Sequence, residues 1–96
     1  MEEIEYLQQI RENQGIIHKV LNLYAADAEE KKDLMQEILL QTWKSRNSFR
    51  GESKFSTWLY RICLNTVFTS KRRRHLIEYV EELPDEQATF HPALEK

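Results

Sequence analysis

Residues 49–75 read FRGESKFSTWLYRICLNTVFTSKRRRH. In the middle of this stretch Phe55, Leu59, Ile62, Cys63 and Thr66 recur at three- and four-residue intervals, which places them on one face of a helix. Arg61, Asn65, Phe68 and Arg72 lie around the side of that helix. A polar Arg-Gly-Glu-Ser loop precedes it, and four consecutive cations, Lys71, Arg72, Arg73 and Arg74, close it. A helix that served packing alone needs neither flank. Gly51 is the natural position for a positive φ in the loop, and Ser53 or Ser56 can cap the helix. The pattern predicts a helix over 53–75, about 35 Å long.

Working outward, the segment before the loop predicts a second helix over 27–46. Asp27 suits an N-cap, and Glu30 stands three residues on, where it can close a capping box. Leu34, Met35, Ile38, Leu39, Thr42 and Trp43 form its core stripe. Asp33, Gln36, Glu37, Leu40 and Lys44 make another i, i+3, i+4 series on the opposite edge. Residues 3–25 read as a first helix with Ile4, Leu7, Ile10, Ile17, Leu21 and Tyr24 on one face. The fit lapses at Gln14-Gly15, so a kink, or a break near Asn13, is expected there. The expected fold is therefore all-α: a compact domain of three helices, at about 3–25, 27–46 and 53–75. Residues 76–96 are expected to form a short acidic linker or tail. Its LIEYVEEL portion can continue as a short helix, whereas PDEQATFHPALEK has two prolines and no periodicity.

The chain has 96 residues, 41% hydrophobic and 31% charged, enough for one small domain. Period-two alternation of β-branched residues is missing, which argues against strands. No apolar run approaches the ~20 residues of a membrane span. MEEIEY at the start is unlike a signal peptide. The single Cys63 has no partner for an internal disulfide, which fits a reduced, cytoplasmic setting. The formal net charge of −2 hides a segregation: −5 over residues 1–43, +8 over 44–75 and −5 over 76–96. The central block is an electrostatic footprint for a polyanion.

Few residues suggest catalysis or metal binding. His18, His75 and His91 occupy three different settings, none at a ligand spacing with Cys or carboxylate, so neither a metal nor another cofactor is expected. No nucleotide-binding or nucleophile motif is present. Asp33 and Glu37 share a helix face but lack a partner carboxylate, and an enzyme is the weakest reading. A cationic run by itself is often only a solvated helix end. Here Asn65 and Phe68 precede it, and Arg50, Ser53 and Lys54 stand in the loop that feeds the same helix. An amide can bond a base edge, an aromatic ring can stack on an unpaired base, and cations meet phosphates.

Taken together, DLMQE at 33–37, Trp43, SFRGESKFSTWLYRICLNT at 48–66 and the RRR end resemble region 2 of a bacterial sigma factor of the extracytoplasmic-function type. The resemblance spans roughly residues 14–75, and its specificity lies in the combined pattern. It implies a domain that binds RNA polymerase core and opens promoter DNA at the minus-ten element. It implies that Asp33, Gln36, Glu37 and Trp43 dock on the clamp helices of the largest polymerase subunit. It further implies that the loop with Phe49, Arg50, Ser53, Lys54 and Phe55 captures a base flipped from the non-template strand. Asn65, Phe68, Lys71, Arg72 and Arg73 would then face DNA along the third helix. An anti-sigma factor is a further partner that the resemblance implies, and residues 76–96 resemble the linker towards a second domain that reads the minus-35 element. The alternatives are a generic DNA-binding helical module and an interaction domain whose basic end binds an acidic protein.

Overall fold

The computed structural model describes residues 1–82. All regular structure among them is helical: α1 (Glu3–Glu12), α2 (Gln14–Tyr24), α3 (Ala28–Lys44), a single 3-10 turn at Arg46–Ser48, and α4 (Phe55–Glu82). The bundle thus has four α-helices where the periodicity predicts three.

The extra boundary falls at Asn13. Its φ of −114° and ψ of 19° leave the helical region, and its side-chain amide donates to the Gln9 carbonyl at 2.8 Å. The amide thus competes locally with the backbone ladder, and Gly15 follows within two residues. The break also re-phases the chain. α1 buries Tyr6 and Ile10, four residues apart, while Ile4 and Leu7 of the expected stripe are 79% and 54% exposed. Tyr6 occupies the core because its hydroxyl is satisfied there. It lies 2.7 Å from Thr42 Oγ1, and Thr42 in turn donates to the Leu39 carbonyl at 2.9 Å.

α3 starts as expected, with Asp27 Oδ1 accepting from the Glu30 N–H at 2.8 Å. Glu30 reaches back one residue further than in a standard capping box and accepts from the Ala26 N–H. Leu34, Ile38 and Thr42 are buried along α3. On α4 the buried positions are Phe55, Leu59, Cys63, Thr66 and Val67. Together with Ile17, Val20 and Leu21 of α2 they form one core. α3 and α4 run antiparallel, since Glu30 near the start of α3 meets Lys71 and Arg74 while Ser48 after its end meets Trp58. Cys63 is fully buried, and burial pushes its thiol up to about 12. It packs as a small apolar residue.

α4 does not stop at His75. It continues to Glu82, which makes it about 42 Å long. Residues 76–82 are therefore helix continuous with α4, in line with the LIEYVEEL reading, and the remainder of the expected acidic tail, 83–96, lies outside the described residues. This length changes the account of the basic run, because Lys71–Arg74 sits eight or more residues before the helix end. The dipole acts within the last turn, and that turn carries no basic residue. The cations need another reason to be there. No helix among the described residues is long and apolar enough to cross a membrane.

Candidate nucleic-acid interface

The loop between the 3-10 turn and α4 turns at Gly51, whose φ is +77°. A side chain there would strain the backbone, although nothing lies within 4 Å of where its Cβ would stand. Aromatic packing anchors both ends of the loop. The Phe49 ring lies 5.5 Å from Phe55 and 5.6 Å from Trp58, and Phe55 lies 5.1 Å from Trp58. The Trp58 indole N–H donates to Ser48 Oγ at 3.3 Å. Phe55 is only 8% exposed and forms the floor of this cluster. Phe49 and Trp58 are half-buried above it, and Arg50 and Lys54 are exposed. Ser53 is partly buried, with only a long contact from its hydroxyl to the Lys54 carbonyl. The loop thus presents polar and cationic groups over a fixed aromatic base.

Along α4, Asn65, Thr69 and Arg73 follow one another at four-residue intervals. With Glu37 and Gln41 of α3, and Thr66 and Ser70, they line a small polar cavity of about 130 Å³. Glu37 accepts from Gln41 Nε2 at 3.0 Å on its rim. Phe68 is 46% exposed, with one edge packed on Tyr24 at 5.3 Å between centroids. Arg72 and Arg73 are exposed, and Lys71 is partly buried. Lys71 Nζ and the Arg74 guanidinium each lie 3.2 Å from Glu30 Oε2.

Glu30 is the residue that spacing alone missed. It reads from sequence as a capping carboxylate, yet its side chain is 5% exposed and joins α3 to α4. The Ala26 N–H contributes most to holding its carboxyl below the ordinary value of 4.5, with help from Lys71 and Arg74 and against the opposing effect of burial. A carboxylate lowered in the folded state stabilises it above the unfolded value, and that stability is lost as pH falls through the folded value. Thermal stability is therefore expected to fall on acidification below pH 4.5. Glu30→Gln is expected to flatten that fall in melts followed by circular dichroism. An identical acid limb in the two proteins would remove Glu30 from the account.

On α3, Asp33 and Gln36 are exposed and Glu37 is half-buried on one edge. Trp43 is less free. The Arg46 guanidinium lies 3.6 Å over its ring and donates to the Trp43 carbonyl at 2.7 Å. The Tyr6 ring meets Trp43 edge-on at 5.2 Å. Spacing placed Trp43 correctly on α3 but held no sign of these covers, which come from the following turn and from α1.

The model of sigma-70 region 2 matches residues 9–76. The chain belongs to the sigma-70 region 2 family. The match takes in the loop, the basic run and the acidic edge of α3, so the whole candidate interface lies within region 2. Among curated relatives, the RNA polymerase sigma-H factor of Pseudomonas aeruginosa is 37% identical over 79 residues, which cover 79% of this chain and 38% of that protein. ECF RNA polymerase sigma factor SigG of Mycobacterium tuberculosis is 46% identical over 50 residues, or 49% of this chain and 14% of that protein. ECF RNA polymerase sigma-E factor of Escherichia coli is 41% identical over 52 residues, or 52% of this chain and 27% of that protein. The chain thus spans well under half the length of these relatives. They bear out the resemblance to extracytoplasmic-function sigma factors. No solved structure gives a significant match.

Proposed function

We propose that this region 2 domain binds RNA polymerase core and recognises and melts the minus-ten promoter element to start transcription, as part of an extracytoplasmic-function sigma factor. The observation that carries the reading is one helix, α4, bearing at its start a loop pinned on Phe49, Phe55 and Trp58 and, farther on, exposed Asn65, Arg72 and Arg73. A base extruded from the non-template strand needs a stacking wall and polar partners. Phe49 and Trp58 supply the wall, while Arg50, Ser53 and Lys54 supply polar groups at its rim. Asn65 offers an amide to a base edge. Phe68 adds a half-exposed ring beside it. Phe55 acts from beneath, as support for the loop.

Asp33, Gln36 and Glu37 form the surface that docks on the clamp helices of the largest polymerase subunit. Trp43 shapes the end of that surface under Arg46. An anti-sigma factor would be the regulating partner, and the cytoplasm the compartment in which all of these meet.

Capture of polymerase core by the immobilised domain tests the docking surface. The Gln36→Ala/Glu37→Ala double variant is expected to weaken core binding about tenfold, since central interface side chains cost ~1–2 kcal/mol or more when truncated. Helix content is expected to stay unchanged because neither residue is buried. Undiminished core capture by a normally folded double variant would remove this edge from the interface.

A further inference from the structure

The four cations of the basic run differ in their surroundings. Lys71 and Arg74, three residues apart, turn towards α3, and both meet the same oxygen of Glu30 at 3.2 Å. The other Glu30 oxygen is taken by the Ala26 N–H at the start of α3. Arg72 and Arg73 are exposed and take no part in this cluster, and Arg73 lies at the polar cavity with Glu37 and Gln41. Among the described residues, no carboxylate lies within ion-pair distance of either arginine. Val67 is the last buried residue of α4 and Phe68 meets Tyr24 of α2 just beyond it; the Glu30 cluster then ties α4 to α3 one turn farther along.

We propose that Glu30 divides the basic run, committing Lys71 and Arg74 to positioning α4 on α3 and leaving Arg72 and Arg73 to meet DNA phosphates. This rests on the DNA-binding reading above and refines it, for it moves Lys71 from the phosphate-binding set to the positioning set. Both cations of this cluster are drawn to one buried carboxylate, which holds them at α3. That anion is fixed in place and is not a counterion that DNA can release. Counterion release is the source of the salt dependence of DNA binding. Cations already paired with a buried carboxylate therefore contribute little to the slope of log affinity against log salt, whereas unpaired ones contribute fully.

The test measures single-stranded promoter oligonucleotide binding by fluorescence anisotropy across a salt series, with a thermal melt of each variant. Arg72→Ala and Arg73→Ala are each expected to reduce the slope by about 0.7, the value for one phosphate contact on a single strand, and to leave Tm unchanged. Lys71→Ala and Arg74→Ala are expected to do the reverse, lowering Tm with less than half that change in slope. In a Glu30→Gln background, where the Ala26 N–H keeps an acceptor, Lys71→Ala is expected to reduce the slope as Arg72→Ala does. A Lys71→Ala slope loss equal to that of Arg72→Ala in the wild-type background would overturn the division. So would a Glu30→Gln background in which Lys71→Ala remained silent. Absence of salt-dependent binding by the unmodified chain would instead overturn the DNA-binding reading, and the division with it.

Discussion

Leu59→Ala is expected to lower the stability of the domain by ~2–5 kcal/mol. Leu59 is fully buried on α4, in the same core as Ile17 and Leu21 of α2 and Leu34 and Ile38 of α3. Truncation removes its methyl groups from an apolar site and leaves a cavity that three helices must close together. In a domain of this size each 1 kcal/mol shifts Tm by about 4–8 °C, so Tm is expected to fall by about 10 °C or more. Leu23→Ala is the control. Leu23 is 66% exposed, and its truncation is expected to change stability by no more than ~0.5 kcal/mol. Thermal and urea melts followed by circular dichroism check both. A Leu59→Ala loss below ~1 kcal/mol would show that the seam between α2, α3 and α4 is not packed as described.

Trp58→Ala is expected to abolish most of the preference among single-stranded oligonucleotides while leaving the phosphate contacts of Arg72 and Arg73 in place. The indole touches both Phe49 and Phe55 and holds Ser48 through its N–H. Without it the loop loses its platform and the anchor at Ser48, just before its first residue. Base–aromatic stacking supplies ~1–3 kcal/mol per base, so discrimination between a minus-ten strand and a scrambled one is expected to fall about tenfold. Trp58→Phe helps to separate the two contributions, because it keeps a smaller aromatic ring in the cluster and removes the indole donor. It is expected to cost ~1 kcal/mol or less. Competition anisotropy with the two oligonucleotides reads the outcome. Undiminished preference in Trp58→Ala would place base capture elsewhere than this loop.

Much of this arrangement is legible in the residues. The spacing of Leu34, Ile38 and Thr42, and of Phe55, Leu59 and Cys63, matches the buried positions of α3 and α4, because helical periodicity records which face avoids water. Asp27 as N-cap and Gly51 as the left-handed turn are local backbone requirements and were readable for that reason. The extent of α1 and of α4 was less legible. Tyr6 fills the place that Ile4 and Leu7 were expected to take, since a tyrosine is buried only if its hydroxyl finds a partner, and that partner is Thr42, 36 positions away. Residues 76–82 are acidic and lie outside the core, so their periodicity carries little weight, yet they extend α4 by its own backbone hydrogen bonding.

By itself the sequence determined the helical class, the core faces of α3 and α4, the loop before α4 and the concentration of positive charge between two acidic segments. Each of these depends on neighbours within one or two turns. Only the tertiary structure decided what each charge and ring does. Glu30 lies 41 and 44 positions from the cations it holds, and its burial turns two members of a uniform-looking basic run into a helix anchor. Arg46 and Tyr6 cover Trp43 from two different elements. A charge or an aromatic ring has the same letter whether it is paired or free. The difference is set by desolvation and by partners that only folding brings within reach.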